Sequence, residues 1–388
     1  MKRPCAVVVV LAMLLTLCAA PVQAAEAAET VAGAPAVDAP AVLLMEKETG
    51  TVLYEHNSHD KREPASVTKV MTLLLVMEAI DSGKLSYDDT VTVSAYASSM
   101  GGSQVYMKEY EQMTVRDMLK TVAVVSANDG SVALAEHLAG SEEAFVALMN
   151  QRAAQLGMTD TCFVNCTGLP AAGHLTSAHD IALMSRELIL NHPDIRQFTT
   201  IWMDTIRDGA FQLSNTNKLV RFYEGATGLK TGSTDAARFC LSATAERGGM
   251  ELIAVVMGAE TSEKRFETAK SLLNFGFANY TLMDIHPGQA LPPIDVLMGV
   301  EETVQPVLER SSRILVEKSA VDQVTTELNL AEDVEAPVEA GQKLGSMVVK
   351  VDGVEQESIP IVADRTVERL TIGGIFSRFL ELLFMKEK

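Results

Sequence analysis

The sequence predicts an α/β (α+β) protein: helices packed on an antiparallel sheet, followed by a separate small β-domain. Three observations carry this prediction. Alternating apolar segments stand at both ends of the region 41–280, helical patterns fill its middle, and after residue 287 the texture turns to short alternating runs rich in Pro, Gly and Val.

The chain opens with Met1-Lys2-Arg3, an apolar run from Ala6 to Ala20, then Val22-Gln23-Ala24-Ala25. Positive charge, apolar stretch and small-residue cleavage site, in that order, predict a secretory signal peptide over residues 1–24 and an exported mature protein. Leu17 is bulky where a lipoprotein signal carries a small residue before its cysteine, so Cys18 is not expected to be lipidated. Residues 25–40, rich in Ala, Glu, Val and Pro, read as a flexible lead-in. "AVLLMEKETGTVLYEHN" alternates around Glu48-Thr49-Gly50, a hairpin signal.

Pro64 and the small residues after it suit a chain turning into a helix, and Val67 to Ile80 has the apolar density of a buried one. A second helical pattern runs from Thr114, where Thr114-Val-Arg-Asp117 resembles a capping box, through Val125. Ser126-Ala127-Asn128-Asp129 interrupts it, and "GSVALAEHLAG" resumes. Further helices are expected in "EEAFVALMNQRAAQLG" and, after Ser177, in "HDIALMSRELILN". "FCLSATAERGGMELIAVVMGAE" reads as two strands joined at Gly248-Gly249, and "KRFETAKSLLNFGFANY" as a helix. This gives a catalytic-sized domain over 41–280 and a β-domain over 287–370. In the terminal "IFSRFLELLFMKEK", residues 373–388, Ile375, Phe376, Phe379, Leu380, Leu382, Leu383 and Phe384 fill one broad helical face, opposite Ser377, Arg378 and Glu381. That segment is too short to span a bilayer and suits a helix lying in the lipid interface.

Without residues 1–24 the chain carries 30 basic and 51 acidic residues, a formal charge of −21, which disfavours nucleic acid as a partner. Cys162, Cys166 and Cys240 remain, compatible with one disulfide and a free thiol or with three thiols. Cys162-x3-Cys166 has no partners at zinc spacing, and no metal or other cofactor is expected.

Three short stretches carry chemistry. Ser66 and Lys69, three apart, share a helix face, so a hydroxyl stands beside an amine, a nucleophile beside a base. The pattern is common in itself: Ser58-His59-Asp60-Lys61 repeats it in a polar, turn-like stretch. Ser126-Ala127-Asn128 lies at the break between two helices, where polar side chains can turn into a cleft. Lys230-Thr231-Gly232 stands just before a predicted strand. Alone, Ser126 and Asn128 suit helix capping and Lys230 a solvated strand-end charge; their order in the chain is what informs.

Ser-x-x-Lys, Ser-x-Asn and Lys-Thr-Gly in this order resemble the low-molecular-mass penicillin-binding proteins that act as serine-type D-alanyl-D-alanine carboxypeptidases, peptidase family S11. "EPASVTKVMT", "VVSANDGSVALAEHLAG", "FVNCTGL", "LKTGSTDAARFCLSATAERGGMELIAVVMG" and "LLNFGFANY" extend the likeness over residues 40–280, and the β-domain and terminal helix match the family's layout. Two departures show: Thr227 where the family usually has Asp, and Ala237 where it commonly has Gly.

The resemblance implies a penicillin-binding/β-lactamase-like transpeptidase fold and a peptidoglycan stem peptide as substrate, with β-lactams as inhibitors. It makes Ser66 the acylated nucleophile, Lys69 its base, and Ser126 the proton relay. Asn128 would hold Lys69 and the substrate amide, Lys230, Thr231 and Gly232 would bind the substrate and its carboxylate, and the backbone N–H groups of Ser66 and Ser233 would form the oxyanion hole. Arg265 aligns with a family arginine near the carboxylate site. Burial and the charge of Lys230 are expected to lower the Lys69 pKa. The terminal helix would hold the enzyme to the outer face of the cytoplasmic membrane. Four rival readings stand beside this one. A β-lactamase would need a deacylating Glu-x-x-Leu-Asn run, which the sequence lacks, and an endopeptidase would share the fold. A metallopeptidase would rest on His174 and His179-Asp180, whose spacing fits no zinc signature. A wall-binding relic is at odds with intact Ser66, Lys69 and Lys230.

Overall fold

The computed structural model describes residues 33–384; the expected signal peptide and half of the lead-in lie outside them. A five-stranded antiparallel sheet organises the first part. Its order is Val52–His56, Ala41–Glu46, Met250–Ala259, Arg238–Arg247, Ala226–Thr234, so the last of these is an edge strand. The expected hairpin is present. Its turn is closed by the Glu46 carboxylate, which accepts from the backbone N–H of Glu48 and Thr49.

The central strands are covered on both faces, which explains why "LIAVVMGA", residues 252–259, is apolar throughout instead of alternating. Leu43, Met45, Ile253, Val255 and Met257 face the helical layer, while Val42, Leu44, Leu252, Ala254 and Val256 face the long helix Ser262–Asn279 through Phe266, Leu272 and Leu273. In the helical layer, Lys69–Asp81 is buried at every position from Lys69 to Met77, so it runs through the core and not over it. Around it lie Val115–Val124, Asn128–Ala139, Glu142–Gln155 and Ala178–Asn191. Thr114 caps the first of these by accepting from the Asp117 N–H at 3.1 Å, Ser141 caps the third and Ser177 the fourth.

After Asn279 the chain is mostly strand. Tyr280–Ile285 pairs with Ser312–Glu317, a three-stranded sheet has Ile294–Leu297 at its centre, and a four-stranded sheet is built on the hairpin Lys343–Val351 and Val354–Ala363. Each side of these sheets has its own apolar cluster, one around Val304 and Val338, the other around Met347, Val349, Ile359 and Ile361. The last described element is the helix Ile372–Phe384. Cys162, Cys166 and Cys240 are all free thiols.

One sequence expectation is corrected here. Lys230-Thr231-Gly232 does not precede a strand but lies within one, Ala226–Thr234. Glycines at 225, 228 and 232 and polar residues between them hide its strand character, because an edge strand beside a cleft need not alternate.

Candidate active site

Ser66 sits in a tight 3₁₀ turn, Ala65–Thr68, that leads into the Lys69 helix. Ala65 adopts a left-handed backbone (φ 48°), which swings the turn outward before the helix begins. Two glycines are pressed against this turn. A Cβ on Gly168 would lie 1.9 Å from the Ala65 carbonyl oxygen, and one on Gly232 would lie 2.9 Å from Ser66 N and 2.7 Å from the Pro64 carbonyl oxygen. The edge strand and the loop 163–169 can therefore close on Ser66 only through glycine.

Lys69 is fully buried, and its Nζ makes three hydrogen bonds: to Ser66 Oγ (3.0 Å), Asn128 Oδ1 (2.6 Å) and the Thr167 carbonyl (2.6 Å). Burial pushes its pKa down to about 7, against the opposing pull of Cys166 and Asp129. Lys230, also buried, donates to the Thr231 carbonyl at 3.0 Å. Its pKa is driven well below the ordinary range by burial, then by repulsion from Lys69 and Arg265. The repulsion between the two buried lysines is mutual and belongs to the pair, beside the larger effect of burial on each. In a coupled pair the first group to lose its proton feels a charged neighbour, and the second faces a neutral one.

Ser126 has a left-handed backbone (φ 65°) and a buried Oγ with no hydrogen-bond partner among the described residues. A buried hydroxyl left unsatisfied is costly to folding, so such a group points to use in function. Asn128 is tied at every polar atom: its N–H donates to the Ser103 carbonyl (2.7 Å), Nδ2 to the Gly101 carbonyl (2.7 Å), and Oδ1 accepts from Lys69. Its side chain thereby joins the nucleophile helix to the loop that forms the opposite lip. Thr231 Oγ1 lies 2.7 Å from Thr216 Oγ1, and Ser233 is exposed on the edge strand.

Arg265 is not free to reach into the cleft. Its Nη1 donates to the carbonyls of Gly232 (3.3 Å) and Cys240 (3.2 Å), Nη2 donates to Ser262 Oγ, and the guanidinium lies over the Phe266 ring. It braces the strand behind Thr231 and adds positive potential there; burial lowers its pKa to about 10.

Thr167 and Gly168 were not assigned roles from the sequence. Asn165 Oδ1 accepts from Thr167 N, Thr167 Oγ1 and Gly168 N, a side-chain turn that aims the Thr167 carbonyl at Lys69. An Asn two residues before Thr-Gly was the available signal. His174 holds this loop to the Ser66 turn: its Nδ1 accepts from Val164 N (3.0 Å), so Nε2 carries the proton and donates to Thr68 Oγ1 (2.8 Å). Burial lowers the His174 pKa to about 4, keeping it neutral. The histidine is structural, not a metal ligand. His179 stacks on His59 and neighbours Asp180. Glu78, Glu187 and His192 do bring ligand atoms within 4.8 Å of one another, but the Arg152 guanidinium already bridges both carboxylates.

Thr227, in place of the usual acid, donates from Oγ1 to Glu251 Oε1 (2.7 Å) and lies 2.8 Å from Thr244 Oγ1. Glu251 is buried on the next strand but one and pairs with Arg196 and Lys47.

Comparison with known proteins agrees with this geometry. A family model described as D-alanyl-D-alanine carboxypeptidase matches residues 28–261, and one described as penicillin-binding protein 5, C-terminal domain, matches 285–369. D-alanyl-D-alanine carboxypeptidase DacF of Bacillus subtilis is 41% identical over 340 residues, covering 86% of each chain. DacC of Escherichia coli is 34% identical over 372 residues, 93% of this chain and 91% of the relative. The crystal structure of penicillin binding protein 5 from Haemophilus influenzae matches with a TM-score of 0.75 at 30% identity, covering 87% of this chain and 99% of that one. Ampicillin-bound penicillin-binding protein D2 from Listeria monocytogenes matches with a TM-score of 0.57 at 36% identity, covering 62% of this chain and 98% of that one.

Proposed function

The chain belongs to the D-alanyl-D-alanine carboxypeptidases of peptidase family S11, and from that membership we propose how its own residues remove the terminal D-alanine of peptidoglycan stem peptides. The observation that carries the reading is the 3.0 Å contact between Ser66 Oγ and a fully buried Lys69 whose pKa is near 7.

Ser66 Oγ attacks the carbonyl carbon of the D-Ala–D-Ala bond while its proton passes to neutral Lys69. The oxyanion is held by the N–H groups of Ser66 and Ser233, a reading supported by the close packing of Gly232, the residue before Ser233, against the Ser66 turn. The C–N bond then breaks, the proton leaves Lys69 for the departing amine through Ser126 Oγ, and D-alanine is released. Water attacks the remaining ester, gives the shortened peptide and restores the Ser66 hydroxyl. The substrate chain lies along the open edge of Ala226–Thr234, adding a strand to the sheet. Its terminal carboxylate meets Thr231 and Lys230, and favours the charged form of Lys230 by supplying a counter-charge.

Two finer features complete the proposal. A β-lactam presents a strained amide to the same nucleophile and acylates it; the Listeria relative is a penicillin-binding protein with ampicillin and cefotaxime complexes. The helix Ile372–Phe384 anchors the exported enzyme to the outer face of the cytoplasmic membrane. It leaves Ile372 (89%), Phe376 (62%) and Phe379 (56%) exposed, and no helix among the described residues is long and apolar enough to cross a membrane.

The test is release of D-alanine from a D-Ala-D-Ala-terminated peptide by the purified protein, with benzylpenicillin blocking it and peptide mapping placing the adduct on Ser66. An adduct on Ser58 or Ser126, or no released D-alanine, overturns the reading.

A further inference from the structure

Two tyrosine rings stand in solvent on the segment that follows the Ser103 contact with Asn128. Tyr106 and Tyr110 are 70% and 75% exposed, and both have left-handed backbones, φ 56° and 64°. The Tyr110 N–H donates to the Val93 carbonyl at 2.8 Å, so its backbone belongs to a turn, but neither ring serves the fold: a left-handed backbone favours Gly or Asn, and an exposed aromatic ring gains nothing from burial. Yet the segment that carries them is held firmly. From below, the buried Asp129 carboxylate accepts from the N–H groups of Val105 and Met107, both at 3.1 Å from Oδ2. From the side, Arg207 donates to the Val105 carbonyl at 2.9 Å and clasps the Glu111 carboxylate at 2.6 and 3.2 Å. Two strained aromatic residues are thus presented outward on a fixed frame, an arrangement expected where function and not folding selects the conformation.

The frame is continuous with the active site. The same loop supplies the Gly101 and Ser103 carbonyls that fix Asn128, the residue on Lys69, and Tyr106 follows Ser103 by three positions. Around the rings lies an open groove of about 570 Å³ lined by Tyr106, Lys108, Glu109, Tyr110, Glu111 and Arg207. Its charges balance, two cations against two carboxylates, so it favours a neutral ligand. It offers flat apolar faces ringed by hydrogen-bonding groups, which suits the apolar faces and polar edges of sugar rings.

We propose that this groove is a glycan subsite: it takes the N-acetylated sugar rings to which a peptidoglycan stem peptide is attached, while the peptide's far end occupies the cleft. The proposal rests on the carboxypeptidase reading, since that reading supplies a substrate with a sugar backbone. The groove makes the enzyme favour stem peptides still carried on glycan over free ones.

Two measurements on the full chain test it. In the first, D-alanine release is compared for a free stem pentapeptide and for the same pentapeptide on its disaccharide. The wild type shows the lower KM for the disaccharide form. Tyr106→Asn with Tyr110→Asn, which suits both backbones, raises that KM about tenfold and leaves the free peptide's kinetics and the rate of penicillin acylation unchanged. The Phe variants behave as wild type if ring stacking is the main contact. Equal KM values for the two substrates in the wild type, or equal losses on both in the double variant, refute the subsite. In the second, glycan chains stripped of peptide are titrated onto the penicillin-acylated protein by calorimetry, a readout independent of turnover. Binding that the double variant loses supports the subsite, and absence of binding overturns it whatever the catalytic reading becomes.

Discussion

Lys69 and Thr167, 98 residues apart in sequence, are joined by a 2.6 Å hydrogen bond from Nζ to a backbone carbonyl. With Ser66 Oγ and Asn128 Oδ1 it gives the Lys69 ammonium three acceptors for three protons. Once the lysine is neutral it has two protons and a lone pair. Of its three partners only the Ser66 hydroxyl can reverse direction and donate, because a carbonyl and an amide oxygen have no proton to give. Loss of one proton therefore turns Ser66 Oγ–H towards the amine that is to receive it.

Arginine at position 69 keeps the charge but stays protonated and cannot accept the Ser66 proton. Lys69→Arg is expected to lower the rate of penicillin acylation by about 10³-fold or more, in the range lost with a general base, while circular dichroism stays native. Lys230→Arg, which keeps a cation for the substrate carboxylate, is expected to lose about tenfold. Quantitative labelling with a fluorescent penicillin compares the two, and equal losses contradict the division of roles.

Acylation should rise with pH through the Lys69 pKa. The buried amine titrates near 7, below the ordinary lysine value of 10.5, so below pH 7 the base is charged and idle and above it neutral and ready. The second-order acylation rate should fall about tenfold per unit below the break and level off above it. The same shift acts on stability with a defined sign. Between about 7 and 10.5 the unfolded chain binds the proton that the folded chain has released, so this group's contribution to stability grows with rising pH across that window. An acylation profile flat from pH 5 to 9 would contradict the assignment.

Gly168→Ala is expected to abolish acylation, because its Cβ would fall 1.9 Å from the Ala65 carbonyl and its φ is +83°. Displacing that loop removes the Thr167 carbonyl from Lys69 and costs about 2–4 kcal/mol through steric overlap and backbone strain. Penicillin labelling and a thermal melt check it together; wild-type labelling in a fully stable variant would show that the loop is not needed.

Removing residues 373–388 takes away all but the first residue of the terminal helix, with the exposed Phe376 and Phe379. The truncated protein should remain in the supernatant with anionic liposomes while the intact mature chain pellets, with turnover of a small peptide the same for both. Intact chain left in the supernatant would refute the anchor.

The sequence displayed the large elements well, because strong signals mark them: the apolar density after Val67, the Thr114 and Ser177 caps, the Gly248-Gly249 turn. Ser66 and Lys69 could be paired from helical spacing alone. Their convergence with Asn128 is a long-range contact that no local pattern encodes, and it was reached through the order of three motifs. Less visible still was the support beneath them. The Thr167 carbonyl is main chain and has no residue signature, the His174 tautomer depends on a backbone donor ten residues earlier, and the burial of Lys230 follows from the strand it belongs to. Tyr106 and Tyr110 look like ordinary loop residues until their backbone angles are known.

The hydrogen bond from Thr227 to the buried Glu251 limits what position 227 can hold. Glu251 is the one acid of this pair, already matched by the charges of Arg196 and Lys47. Two carboxylates a hydrogen bond apart in such a place cannot both stay ionised. Thr227→Asp would therefore be harmful here unless Glu251 changed with it. An acid can enter at position 227 only together with a change at 251, so the two positions are exchangeable as a couple and not one at a time.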